Sequence, residues 1–137
     1  MALSTARSTK RRQGDVYGYP VKAGVICYQG GLAVLNGGYA APGATATGLV
    51  AIGMFEETVD NTAGQSGDVV VQVREGIFLF DNSASTDLIA QAQAGADCYI
   101  VDDQAVAKTS ATNTRSRAGK IIAVETGGVW VKMGHGI

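Results

Sequence analysis

The chain has 137 residues and a mass of 14.1 kDa, one domain's worth, and its 11 basic and 12 acidic residues leave a formal charge of −1. Only 17% of residues are charged, and Val and Ile together number 23 against 6 Leu, a skew toward pleated, half-buried strands. No apolar run approaches the ~18 residues of a membrane helix, two cysteines make no disulfide scaffold, and a lone His135 near the last residue leaves little room for histidine chemistry.

The near-neutral total hides a segregation of charge. Arg7, Lys10, Arg11 and Arg12 place +4 in residues 1–13, without an acid among them, and the remainder carries −5. This opening segment is polar and has no apolar period, so it is expected to be an arm outside the core. No apolar stretch follows the charges, as a secretory signal would require. A mitochondrial transit peptide would share its Arg and Ser, but large apolar residues are scarce. An arm that orders on a partner surface is the preferred reading.

Residues 14–137 are expected to form a single β-rich domain. Residues 14–20 are extended into Pro20, because the residue before a proline is pushed out of the helical region. Residues 25–29 and 32–35 flank Gly30-Gly31, a two-residue hairpin signal closed by Asn36-Gly37-Gly38. Residues 39–47 are small and read as a loop. Residues 49–55 are the next strand, interrupted by Gly53, and 58–68 read as a long turn. Residues 69–73 and 77–80 form either a second hairpin or one long strand kinked at Gly76.

One short helix is expected after Ser85 or Thr86, with Leu88, Ile89 and Ala92 on one face and Gly95 as its stop. Tyr99 to Val101 is a strand closed by Asp102-Asp103, with 105–107 returning along it. Residues 108–117 are rich in Ser, Thr and Asn and read as mobile. The tail pairs 120–125 with 129–133 across Thr126-Gly127-Gly128. Short strands at turn-marked spacing give a mainly β fold, a compact antiparallel β-sandwich or barrel.

The search for chemistry returns little. A Ser–His or Cys–His site would depend on His135 in a terminal Gly-His-Gly. Glu56-Glu57 and Asp102-Asp103 are neighbours on strand ends, where successive side chains point to opposite faces, and turn formation explains them. Asp60, Asn61 and Asp68 lack the alternating spacing of a dedicated calcium loop. Gly119-Lys120 fails as a phosphate loop, since Thr114 stands where a Gly is needed and Ile121 where Ser or Thr is needed. Cys27 and Cys98 are read as two small buried hydrophobes, with a Cys27–Cys98 disulfide as the alternative in an oxidising compartment. No catalytic residue, metal site or cofactor is expected. Nucleic acid ranks behind a protein partner for the arm, because the body is acidic and Tyr17, Tyr19 and Tyr28 have only Lys22 as a nearby base.

The order of these elements resembles the capsid cement (head decoration) proteins of tailed bacteriophages. The resemblance spans roughly residues 14–133. Its landmarks are Val21-Lys22-Ala23-Gly24-Val25, Leu49-Val50-Ala51-Ile52-Gly53-Met54-Phe55, the run 69–80 around Arg74-Glu75-Gly76, Tyr99-Ile100-Val101-Asp102-Asp103, Ala118-Gly119-Lys120-Ile121-Ile122-Ala123-Val124, and Val129-Trp130-Val131.

The resemblance implies a structural virion protein, not an enzyme, made in the bacterial cytoplasm and sited on the outer surface of the phage head. There it would bind the major capsid protein and itself, as a homotrimer in preference to a dimer, and stabilise the expanded capsid. Arg7, Lys10, Arg11 and Arg12 would form the capsid-binding arm. Tyr17 and Tyr19 would lie where arm meets body, and Trp130 in the core or at a subunit interface. The alternative is a β-rich binding module for carbohydrate or nucleic acid.

Overall fold

The alternation of small and branched apolar residues along the chain produces two five-stranded antiparallel sheets, seen in a computed structural model that describes residue 2, residues 4–8 and residues 14–137. The first sheet contains β1 (Val16–Pro20), β3 (Leu32–Asn36), β4 (Tyr39–Pro42), β5 (Val50–Phe55) and β7 (Val70–Arg74), in the order β1-β7-β5-β3-β4. The second contains β8 (Gly76–Phe80), β9 (Asp97–Ile100), β10 (Val106–Ala107), β11 (Arg117–Glu125) and β12 (Gly128–Met133), in the order β10-β9-β11-β12-β8. A two-stranded ribbon joins β2 (Ile26–Cys27) to β6 (Val59–Asp60). The arrangement is a mainly β, antiparallel sandwich, as expected.

Each sheet curls until its outer strands touch. In the first, a parallel bridge joins Val21 to Ala40, and the Lys22 amide donates to the Ala40 carbonyl at 2.9 Å. In the second, Asp81 and Ala105 form the equivalent bridge, and the Val106 amide donates to the Asp81 carbonyl at 3.0 Å. Curling limits the open edge that a sheet presents. It also divides the interior into two clusters. Val21, Cys27, Ala33, Ala40, Ile52, Phe55, Val71 and Val73 fill the first sheet. Phe80, Ile89, Cys98, Ile100, Ile121, Val129, Val131 and Met133 fill the second, where Leu32 and Val34 join them from β3. Strand β3 thus buries both of its faces, which explains its uninterrupted apolar run.

Several local expectations are corrected. Gly30-Gly31 does not close a hairpin: β2 pairs with β6, and β3 pairs with β4 and β5. The hairpin turn is Gly37-Gly38, with φ of +62° and +89°, between the paired residues Asn36 and Tyr39. Two left-handed residues supply the twist that a tight hairpin needs, and glycine adopts them without a Cβ clash. Residues 39–42, expected in a loop, are strand β4, whose Ala40 and Ala41 are small because both sides of the strand are packed. The run 69–80 is no hairpin either. It passes from the first sheet into the second at Glu75, with Gly76 at φ +156°.

The expected helix is replaced by two single 3-10 turns, Ser85–Asp87 and Gln91–Gln93. Leu88 between them is extended, at φ −62° and ψ 125°. The next residue, Ile89, is 1% exposed, and the Asn82 side chain takes both of its backbone groups. An α-helical ladder through Ile89 would have to give up both bonds. Residues 108–117, expected to be mobile, are tied down through Asp87. Its Oδ1 accepts from Thr109 Oγ1 at 2.6 Å, and its Oδ2 accepts from Arg115 Nη1 at 3.1 Å.

Candidate interaction surface

The segment that follows residues 1–13 enters the fold through a charge latch. Arg74, at the end of β7, donates from Nη1 to both carboxylate oxygens of Asp15 at 3.0 Å and from Nε to Glu56 Oε1 at 2.5 Å. Pairing with Glu56 first, and Asp15 next, raises the Arg74 pKa above its ordinary value. The Glu75 amide also donates to the Asp15 carbonyl at 2.8 Å. These bonds hold β1 antiparallel to β7 from Val16↔Arg74 to Pro20↔Val70. Of the four expected arm cations, Arg7 is exposed, and Lys10, Arg11 and Arg12 lie outside the described residues.

Tyr17 and Tyr19, two positions apart on β1, border an open cleft of about 420 Å³ with Gly18, Glu75 and His135. The Tyr17 hydroxyl donates to the Gly14 carbonyl at 3.0 Å. The Tyr19 hydroxyl and His135 Nε2 share a hydrogen bond of 2.9 Å, with ring centroids 6.0 Å apart. Glu75 Oε1 accepts the His135 backbone amide at 3.3 Å. The carboxylate therefore meets the backbone of His135. His135 lies in the terminal Gly-His-Gly. It is exposed, but the fold brings it 116 positions back along the chain to Tyr19, a contact that no local signal announces.

Trp130 is not in the core. Its neighbours Val129 and Val131 are fully buried, and the alternation of β12 turns the indole to the outer face of the second sheet, where it is half-buried. There it stands opposite Leu79 of β8 on one side and Ala123 of β11 on the other. Ile77, Leu79 and Ile122, none of them singled out in the sequence, are 48%, 40% and 44% exposed. The signal for the first two lay in Ile77-Phe78-Leu79-Phe80. Four apolar residues in a row on an edge strand leave one face for solvent or a partner.

No family model, curated protein or solved structure matches the chain.

The thiols and several loop carboxylates of the body are engaged within the fold. Cys27 and Cys98 are free, and they sit in different clusters, so they do not pair. Burial pushes the Cys27 thiol up to about 11 and the Cys98 thiol up to about 12, so neither offers a thiolate near neutral pH. Asp102 Oδ1 accepts the Gln104 and Ala105 amides, closing the turn before β10. Asp60 Oδ1 accepts the Thr62 hydroxyl and amide, and Asp68 Oδ2 accepts the Gln65 amide. Asn61, 3% exposed, donates to the carbonyls of Val21, Lys22 and Gln65. These side chains are spent on their own loops, and among the described residues no three His, Cys, Asp or Glu gather as a metal site. Among them too, no helix is long and apolar enough to cross a membrane.

Proposed function

We propose that this chain is a structural protein of a tailed-phage head, which binds the outer surface of the capsid and cements neighbouring major capsid subunits. The observation that carries the reading is a basic segment, residues 1–13, followed at once by an anchored point of an acidic β body. Residues 1–13 carry +4 and the body −5, and Arg74 fastens the chain immediately after the arm. An arm of this kind loses entropy on ordering and gains a wide footprint, while the body stays rigid. Several arms on one homo-oligomer would raise the effective concentration at the capsid without any new contact. The role requires no catalytic group and no cofactor.

The test is co-sedimentation with expanded heads of a phage that encodes the protein, comparing the full chain with one beginning at Gly14. Saturable binding at a fixed ratio to capsid subunits, weakened without the arm, is the expected result. Absence of binding by both chains at moderate and low salt would overturn the reading. Salt-dependent retention of the full chain on DNA, lost with the arm, would favour a nucleic-acid module instead.

A further inference from the structure

We propose that the outer face of the second sheet is a two-fold contact between two copies of this chain, with their strands running in opposite directions. The face is built in three rows across β8, β12 and β11. Direct pairing puts Ile77, Lys132 and Lys120 in one row, and Leu79, Trp130 and Ala123 in the next. In the third row Glu125 pairs with Gly128, and Asp81 follows Phe80 at the end of β8. Residues opposite one another in such ladders share a face. Lys132, Lys120, Glu125 and Asp81 are all exposed. The face thus runs from a basic end, through an apolar middle, to an acidic end.

The pattern of ion pairs sharpens this polarity. Lys120 shares the Asp97 carboxylate with Arg117, at 2.7 and 2.8 Å, whereas Lys132, Glu125 and Asp81 have no ion-pair partner among the described residues. Leu79 lies against the Gly127-Gly128 turn, beside Glu125, and keeps 40% exposure. A half-buried Trp flanked by exposed Leu and Ile is the composition of an interface centre, where aromatic residues are enriched and charges are confined to the rim.

Charge selects both the occupant and the axis. When two sheets pack face to face, a two-fold axis in the contact plane runs either along the strands or across them. An axis along the strands would set Lys132 over Lys132 and the acidic ends over each other. An axis across them, over Leu79 and Trp130, sets Lys132 of each copy against Glu125 and Asp81 of the other. The face is then complementary to itself, apolar row on apolar row. This contact goes beyond capsid binding and is tested on the isolated protein, so either reading can fail without the other.

The experiment is sedimentation velocity on the full chain over a concentration series, with tryptophan emission recorded alongside. Trp130 is the sole tryptophan, so its emission reports directly on burial of this face. The wild type is expected to dimerise with a blue shift. Lys132→Glu, and separately the double variant Asp81→Lys with Glu125→Lys, are each expected to associate at least about tenfold more weakly and to emit further to the red. Mixing the two variants restores opposite charges at both ends and is expected to recover the dimer. Unchanged circular dichroism and thermal midpoint show that the variants fold. A wild type that stays monomeric, association indifferent to either variant, or a mixture that fails to recover would each overturn the proposal.

Discussion

Asn82 holds Ile89 by both backbone groups: its Oδ1 accepts the Ile89 amide at 2.9 Å, and its Nδ2 donates to the Ile89 carbonyl at 2.8 Å. The amide side chain acts as a short piece of strand. It lets an isolated residue, flanked by two 3-10 turns, plug the core of the second sheet. Asn82→Ala removes both bonds beside a buried residue and is expected to cost about 2 kcal/mol in denaturant unfolding. Asn82→Asp keeps the acceptor but turns a carboxylate oxygen toward the Ile89 carbonyl, so at neutral pH it should cost at least as much.

Gly53 is required by the strand beside it. A Cβ at this position would lie 2.2 Å from the Arg74 carbonyl oxygen, and its φ of +145° is one that side-chain-bearing residues rarely adopt. Gly53→Ala is expected to destabilise by about 3 kcal/mol or more. Gly30→Ala is the control. Its φ of +86° is also unfavourable, but its Cβ meets open space, so a loss nearer about 1 kcal/mol is expected by the same measurement.

Both thiols should be silent until the protein unfolds. Cys27 and Cys98 are fully buried, and their pKa values are pushed up to about 11 and about 12. A thiol reagent at mildly alkaline pH is expected to leave the native protein unlabelled and to modify both residues in denaturant. Fast labelling of either one in the native state would contradict this packing.

Acid should loosen the 85–117 region through Asp87. Hydrogen bonds from Thr109, then Arg115, hold its carboxyl below the ordinary carboxylate value. A lowered folded pKa gives stability that is present above the unfolded value of about 3.9 and is lost as pH falls through the lower folded value. Asp97 shifts the same way, through Lys120 first and Arg117 next. The thermal midpoint is expected to be level from neutral pH to about 5 and to drop below about 4. Asp87→Asn should flatten part of that drop. A midpoint as sensitive in the variant as in the wild type would count against the assignment.

Much of the fold was legible in the residues because strands and turns are local. The period-two pattern of 129–133 and the glycines before it mark β12 and its hairpin, Val50–Phe55 falls on its apolar run, and the strand expected over 99–101 lies at Asp97–Ile100. The segregation of charge between residues 1–13 and the rest was also legible, since it needs no partner to be seen. Of the candidate surface, Tyr17, Tyr19 and Trp130 were named from the chain alone, but not what stands beside them.

Partnership belonged to the tertiary structure. Ile26–Cys27 pairs with Val59–Asp60 and not with its sequence neighbour, because β3 is already covered by β4 and β5. His135 reaches Tyr19, and Trp130 reaches Leu79, across separations that no window of sequence spans. The expected helix yielded to Asn82 and to the burial of Ile89, a gain that appears only once the second sheet curls around it. Short-range propensity chooses the element, but which face is buried and which strand lies alongside follow from packing in two cores that form only when distant segments meet.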